Sequence, residues 1–392
     1  MTYHLLPSDP AATLAVVGDL MVQTPGIVEG SATIPGFLAT RRELGRSAAV
    51  VANLEVPLSE RGHPVPKTVN LRADPAVAQD VRAFGVHAVT LANNHLMDYG
   101  PEALLDTLDA CERAGIVHCG AGLDLEAALA PAWLMAGEHR IALLSVSCTI
   151  PVESDAGPAR TGIAPLRVRF AFEADVNLLA EQPGTMPWVH SWAEPSERER
   201  LCRSIAACRA QGADVVVVGI HWGVPSYWLS PYQGLLAAYQ RPLAHALIDA
   251  GADAVCGHHA HQLHPIEVYR DKPILYSLGN FAFENPGEFP CMEPEAVIAR
   301  LGFGDRPSCD LVPLMIDERG LLRRATGREA DIVLSKVREL SRPFGTEIHV
   351  HDEIAVVDLA AGQTKAHCVD TLGRTDKDDA CLAGTTPTTA AR

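Results

Sequence analysis

Six short runs of aliphatic and β-branched residues punctuate the chain, and none of them alternates with polar positions. They are TLAVVGD from Thr13, AAVVANLE from Ala48, VHAVTLANNH from Val86, RIALLSVS from Arg140, DVVVVGIHWG from Asp214 and DAVCGHH from Asp253. Continuous apolar runs of this length predict strands covered on both faces, the interior of a layered α/β domain. Between them the period changes to that of a helix. Leu104, Leu108 and Cys111 in PEALLDTLDACERAG, and Leu201, Ile205 and Cys208 between about 195 and 211, are each spaced by four and then three. Pro101 suits a first helical turn and Gly115 a stop, so that helix starts directly behind the NNHLMDYG loop. From Gln233 to Ala250 the apolar spacing is again helical, with Pro242 expected to kink the helix or begin a second one. The connection from about Cys148 to Glu194, rich in Pro and Gly and carrying Trp188 and Trp192, is too long for a plain link and is expected to overhang a site. After Phe283 come loops and short strands, a helix near Ile332 to Leu340, and the strand pair EIHVHD and IAVVDL.

The polar residues that end these runs change the picture. Asp19 closes the first, Asn53 and Glu55 the second, Asn94 and His95 the third, His221 the fifth, and His258, His259 and His261 the last. Ligands of an open α/β sheet collect at the carboxyl ends of its strands, so five strand ends point to one cavity. Singly, each residue has an ordinary explanation, as a turn Asp, a loop-bonding Asn or a satisfied His. Together, carboxylate, amide oxygen and imidazole fit a divalent ion such as Mn²⁺, Zn²⁺ or Fe²⁺. GHHAHQLH sets four of the sixteen histidines within a few positions. His259 and His261, two apart, can reach two neighbouring ions from one extended loop. His258 either points away to orient a ligand or lines the substrate side, and His264 is either structural or functional.

Composition narrows the partners. The 392 residues carry a formal charge of −16, with no cluster of Lys and Arg, which speaks against nucleic acid. A small anion remains open, because a bound cation or a few arginines reverse the local field. Candidates to grip it are Lys67, Arg72, Arg160, Arg167 and Arg169, although most of them read more readily as solvated surface charge. Trp222 and Trp228 either wall the pocket or pack in the core. The ten cysteines are scattered singly without CxxC, and Cys202 and Cys256 read as small buried hydrophobes. No export signal and no apolar stretch of membrane-spanning length is evident, so a cytoplasmic protein with reduced thiols is expected.

In order along the chain, VVGDLM, ANLEVPLS, LANNHLMDYG, GAGLDLEAALAP, VGIHWG, GHHAHQLHPIEVY and ILYSLGNFAF resemble the CapA-like family of poly-gamma-glutamate capsule-synthesis proteins, similar to calcineurin-like metallophosphoesterases. The resemblance covers roughly Thr13 to Phe283, and LSRPFGTEIHVHDEIAVVDL resembles the family's C-terminal end. It implies an α/β fold, a four-layer αββα sandwich of the metallophosphoesterase-like type. One domain is expected over 1–300, an extension completing it over 301–365, and a disordered tail over 366–392. It also implies two divalent ions (Mn, Zn or Fe) held by Asp19, Glu55, Asn94, His221, His259 and His261, with Glu55 where phosphoesterases place a bridging Asp. His95 would be catalytic, and Asp98 would either fix its tautomer or cap the following helix. Asn53, Lys67, Arg72, Arg160, Trp222 and His258 are the candidate substrate-binding residues. Two positions depart from the pattern: Met21 replaces the His of Asp-x-His, and Pro225 stands where a Glu usually follows HWG.

Two functions follow as expectations. One is a soluble metal-dependent hydrolase that uses water activated by the two ions on a phosphoester or a γ-glutamyl-type amide. The other, motivated by Met21 and Pro225, is a non-catalytic or accessory subunit for making poly-gamma-glutamate or another polyanionic capsule polymer. The partner is accordingly a small anionic substrate or a polyglutamate-like polymer.

Overall fold

The apolar runs are strands, and they divide between two sheets. The computed structural model describes residues 12–31, 34–224, 235–284, 292–317 and 320–360. In the larger sheet Thr13–Met21 lies centrally, with Ala49–Leu54, Ala88–Thr90 and Val117–Cys119 added in parallel on one side. On its other side Glu295–Gly302, Ser308–Ile316 and the hairpin Ile348–His351 and Ile354–Val357 pair antiparallel. The C-terminal residues are thus built into the same sheet as the first strand. In the smaller sheet His139–Ser147, Val215–His221 and Ala254–His258 run parallel.

Continuous apolar sequence is explained by where alternate residues go. Val16 and Val51 of the large sheet share one buried cluster with Leu143, Val217 and Cys256 of the small one. The intervening Val17, Val50, Val216 and Val218 pack in a second cluster that holds helix residues such as Phe37, Leu104, Ile205 and Leu247. Both faces of each strand are therefore dry, and polar residues are displaced to the strand ends.

The helices fall at Pro35–Leu44, Val77–Ala83, Gly100–Arg113, Pro195–Ala210 and Gln240–Asp249, each between successive parallel strands. Of the two expectations for Pro242 the second is seen: a helix begins at Gln240 with Pro242 in its first turn, where a missing N–H costs nothing, and residues 235–239 of the expected run are not helical. The later helix spans Arg328–Ser341. Cys256 is buried and its thiol is pushed up to about 12, so it serves as apolar filler. Among the described residues no helix is long and apolar enough to cross a membrane. The tail over 366–392 lies outside the described residues.

Candidate metal centre

Close backbone approach brings the first strand to the last histidine loop. A Cβ on Gly18 would lie 2.0 Å from the carbonyl oxygen of Gly279, so only glycine lets Asn280–Phe283 pair beside Thr13–Met21. That pairing sets Asp19 against Asn280 on one side and Asn53 on the other. Gly257 has the same role in GHHAH: a Cβ there would meet the Tyr276 carbonyl at 2.2 Å. His259 and His261 then turn with φ of 92° and 55°, left-handed values for non-glycine residues. Each costs on the order of 1–3 kcal/mol and persists only where surrounding contacts enforce it.

Glu55 lies at the centre of the converging side chains. Its Oε1 is 3.4 Å from His221 Nε2 and 3.7 Å from His261 Nε2. Two groups of potential ligand atoms form around it, Glu55 with His221 and His259, and Asp19 with Glu55 and His261, each within 4.8 Å. Asn94 joins the first group, its Oδ1 2.6 Å from His221 Nε2. Asp19 accepts hydrogen bonds from the Asn53 amide at 2.8 Å and the His259 backbone N–H at 3.0 Å.

The protonation of these groups follows from burial. It pushes His221 and His259 well below their ordinary value, leaving neutral imidazoles with lone pairs. For His261 burial also pulls downward, but the Glu55 and Asp19 carboxylates outweigh it and raise the ring.

The donor chemistry can be tested against a cation. Both oxygens of Glu55 are buried without a hydrogen-bond partner, and so is Nδ1 of His259. A buried carboxylate without donors costs several kcal/mol, which a divalent ion would offset directly. Two carboxylates, three imidazoles and an amide oxygen, with one carboxylate common to both groups, suit a pair of ions of intermediate hardness.

Beside this cluster His95 is held by a neighbouring carboxylate. Its Nδ1 donates to Asp98 Oδ2 at 2.6 Å, which leaves Nε2 as the ring's second nitrogen. Asp98 also accepts from the Leu71 backbone N–H at 2.7 Å and from Lys67 Nζ at 2.6 Å. Of its two expected roles the first is seen: Asp98 orients the ring, and the helix that follows is capped by Tyr99 without a side-chain bond.

Several expected substrate contacts are corrected, because the atoms concerned are already engaged or buried. Lys67 donates to the Asn94 carbonyl at 2.5 Å as well as to Asp98, so it positions the Asn-His pair. Asn53 is buried, with Nδ2 on Asp19 and Oδ1 accepting from Thr90 and Asn93. His258 is buried, with Nε2 on the Val17 carbonyl at 3.1 Å, and thereby ties the two sheets together. Trp222 is fully buried, donates to the Tyr276 carbonyl at 3.0 Å and stacks on that ring. Arg160 is paired with Asp155 at 2.7 Å, and Arg167 and Arg169 are also ion-paired. Arg72 remains exposed, its guanidinium 4.3 Å over the Tyr99 ring and one residue from the Leu71 N–H held by Asp98. Met21 is buried in the apolar cluster. Pro225 and Trp228 lie outside the described residues.

One residue escaped the sequence reading. Asn280 donates from Nδ2 to the His261 carbonyl at 3.3 Å, which fixes its amide so that Oδ1 accepts from His261 Nδ1 at 2.9 Å. That leaves His261 Nε2 facing Glu55. The signal was LGN after an apolar run, the same pattern of a polar residue at a strand end, but it also reads as a turn.

With this geometry in view, comparison with known proteins is informative. Residues 13–285 match the family model described as bacterial capsule synthesis protein PGA_cap. The chain belongs to the PGA_cap family. A probable polyglutamine synthesis accessory protein of Mycobacterium tuberculosis is 30% identical over 304 residues, 76% of this chain and 73% of that one. The capsule biosynthesis protein CapA of Bacillus anthracis is 28% identical over 312 residues, 78% and 68% of the two chains. A crystal structure of a hypothetical protein from Thermus thermophilus aligns at a TM-score of 0.39 and 16% identity, over 77% of this chain and 97% of that one. Every residue of the two ligand groups lies inside the PGA_cap match.

Proposed function

We propose that this PGA_cap protein is a metal-dependent hydrolase acting on a phosphoester or a γ-glutamyl-type amide connected with capsule or polyglutamate synthesis. The observation that carries the reading is Glu55, a fully buried carboxylate with no hydrogen-bond donor, shared between two sets of ligand atoms. On this reading Asp19, Glu55 and His261 hold one divalent ion, and Glu55, Asn94, His221 and His259 hold the other. Bound there, the ions would supply an acidified water and a positive clamp for the oxygens of the scissile group. The protein's own contribution is positioning. Asn53 and the His259 N–H orient Asp19, Asn280 orients His261, and Asp98 with Lys67 holds His95 so that Nε2 delivers a proton to the leaving group. Arg72, the one candidate cation still exposed without a described carboxylate partner, is placed to meet an anionic group of the substrate. The same reading takes the two sheets and their covering helices as the αββα sandwich of metallophosphoesterases.

Met21 favours a second reading. Without a nitrogen donor at that position the Asp19 group has one ligand fewer, which suits an accessory subunit that holds polymer carboxylates through a metal. Turnover decides between the two. Protein loaded with Mn²⁺, Zn²⁺ or Fe²⁺ is expected to hydrolyse a member of a panel of phosphoesters and γ-glutamyl amides, and Asp19→Asn or His261→Ala to abolish it. Metal uptake without turnover on any substrate, together with a stable complex with a polymer ligase, would replace the hydrolase by the accessory role.

A further inference from the structure

Eight large exposed apolar side chains lie on one short segment, between residues 168 and 193. There the chain forms the strand Val168–Glu173, the helix Val176–Glu181 and the strand Trp188–Ala193. The two strands pair antiparallel with each other and, among the described residues, with no third strand. The helix buries none of its residues. Exposure reaches 65% at Phe172, 71% at Met186 and 74% at Val176. Register places Phe170 opposite Ser191 and Phe172 opposite Val189 on one face, and Trp188 opposite Glu173 and Trp192 opposite Arg169 on the other. The root is anchored by Arg167, which pairs with Glu197 and Asp155. The strand Trp188–Ala193 also lies against the Gln240–Asp249 helix, and beyond these contacts the segment forms an exposed arm.

A lone two-stranded ribbon is marginal in water, and monomers rarely expose more than a few hundred Å² of contiguous apolar surface. The area on this arm is on the order of the ~800 Å² that each partner contributes to a standard protein interface. Charge on the arm argues against an anionic partner. Its only Lys or Arg, Arg169, is paired with Glu194, and His190 with Glu173, while Asp175 caps the arm's helix and Glu181 adds a further acid. That leaves no unpaired Lys or Arg between 168 and 193 to attract an anionic membrane or a polyglutamate chain. An identical arm offers apolar area of the same size with no unpaired base to attract an anion, and an isologous pair is a closed two-chain assembly. We propose that the arm is a dimerisation surface, packing against the same arm of a second copy.

Sedimentation velocity of the full chain, from nanomolar to tens of micromolar, tests this. The wild type is expected to reach the mass of two chains. The Phe172→Ser/Trp188→Ser double variant should dissociate at concentrations about 30-fold higher or more, as loss of a central aromatic anchor implies. Met135→Ser, which changes an exposed residue off the arm, should stay dimeric. Circular dichroism establishes that each variant is folded; should the double variant fail there, Phe170→Ser carries the same expectation with a smaller shift. A wild type that remains single throughout, a dimer that survives the arm substitutions, or a single chain that binds phosphatidylcholine vesicles would each overturn the proposal.

Discussion

Glu55 and Glu267 are both buried glutamates beside histidines, and their surroundings are opposite. Glu267 accepts from Arg241 at 2.8 and 2.9 Å, from His245 at 3.0 Å and from Tyr276 at 2.7 Å. Burial alone would push its carboxyl up, but the hydrogen bonds from His245 and Arg241 outweigh that and hold it below its ordinary value. Glu55 is more deeply buried and has no donor on either oxygen. One carboxylate is satisfied by the fold and ties the Gln240–Asp249 helix to the Ile266–Tyr269 strand. The other is buried among imidazole nitrogens with no hydrogen bond to either oxygen.

The largest expected effect separates these two residues. Glu267→Gln should lower stability by about 1–3 kcal/mol, because the partly exposed Arg241 and His245 and the buried Tyr276 lose a charged acceptor, while metal uptake is retained. Glu55→Gln should abolish metal uptake yet leave metal-free protein as stable as the wild type or more so, since an uncompensated charge disappears. Denaturant melts of metal-free and metal-loaded protein read both. Equal destabilisation by the two substitutions would break the contrast.

His264 sharpens it from the neutral side. Both ring nitrogens are buried without a partner, and burial lowers the ring to about 4. The unfolded chain, titrating near 6.5, binds the extra proton in that window, so the stabilising contribution is complete above about pH 6.5 and is lost as pH falls towards 4. Melts at neutral pH and at pH near 5 should show a loss of up to a few kcal/mol, part of which His264→Leu removes.

Gly18→Ala tests whether backbone approach builds the site. Forcing the Asn280–Phe283 strand off Thr13–Met21 should cost about 1–3 kcal/mol and weaken metal binding together. Stability lost with metal affinity intact would separate the strand pairing from the centre. Asn280→Ala should have the smallest effect, a fall of about 10–100-fold in metal affinity by calorimetric titration with little change in the melt.

Much of this was legible in the chain. Continuous apolar runs mark strands that are dry on both faces, and such strands leave polar residues only at their ends, which is why Asp19, Glu55, Asn94, His221, His259 and His261 stood out together. Less legible were residues whose role depends on who stands opposite. Lys67 reads as a free surface cation until the fold brings the Asn94 carbonyl and Asp98 to it. Trp222 reads as either pocket wall or core until Gly257 lets the Tyr276 backbone approach, and the indole N–H finds its acceptor there in the core. Asn280 acts only through a residue 19 positions earlier. The arm was legible as an unusual connection, but its direction was not, since alternating exposure on both faces has no core to point towards.

The most direct test of the central claim is calorimetric titration of metal-stripped protein with Mn²⁺, with elemental analysis of the dialysed product. The wild type should bind two ions with unequal affinity, the weaker assigned to the Asp19 group that lacks a nitrogen donor at Met21, and Glu55→Gln should lose both. A wild-type protein that retains no Mn²⁺, Zn²⁺ or Fe²⁺, or a Glu55→Gln variant that binds them unchanged, would contradict the account.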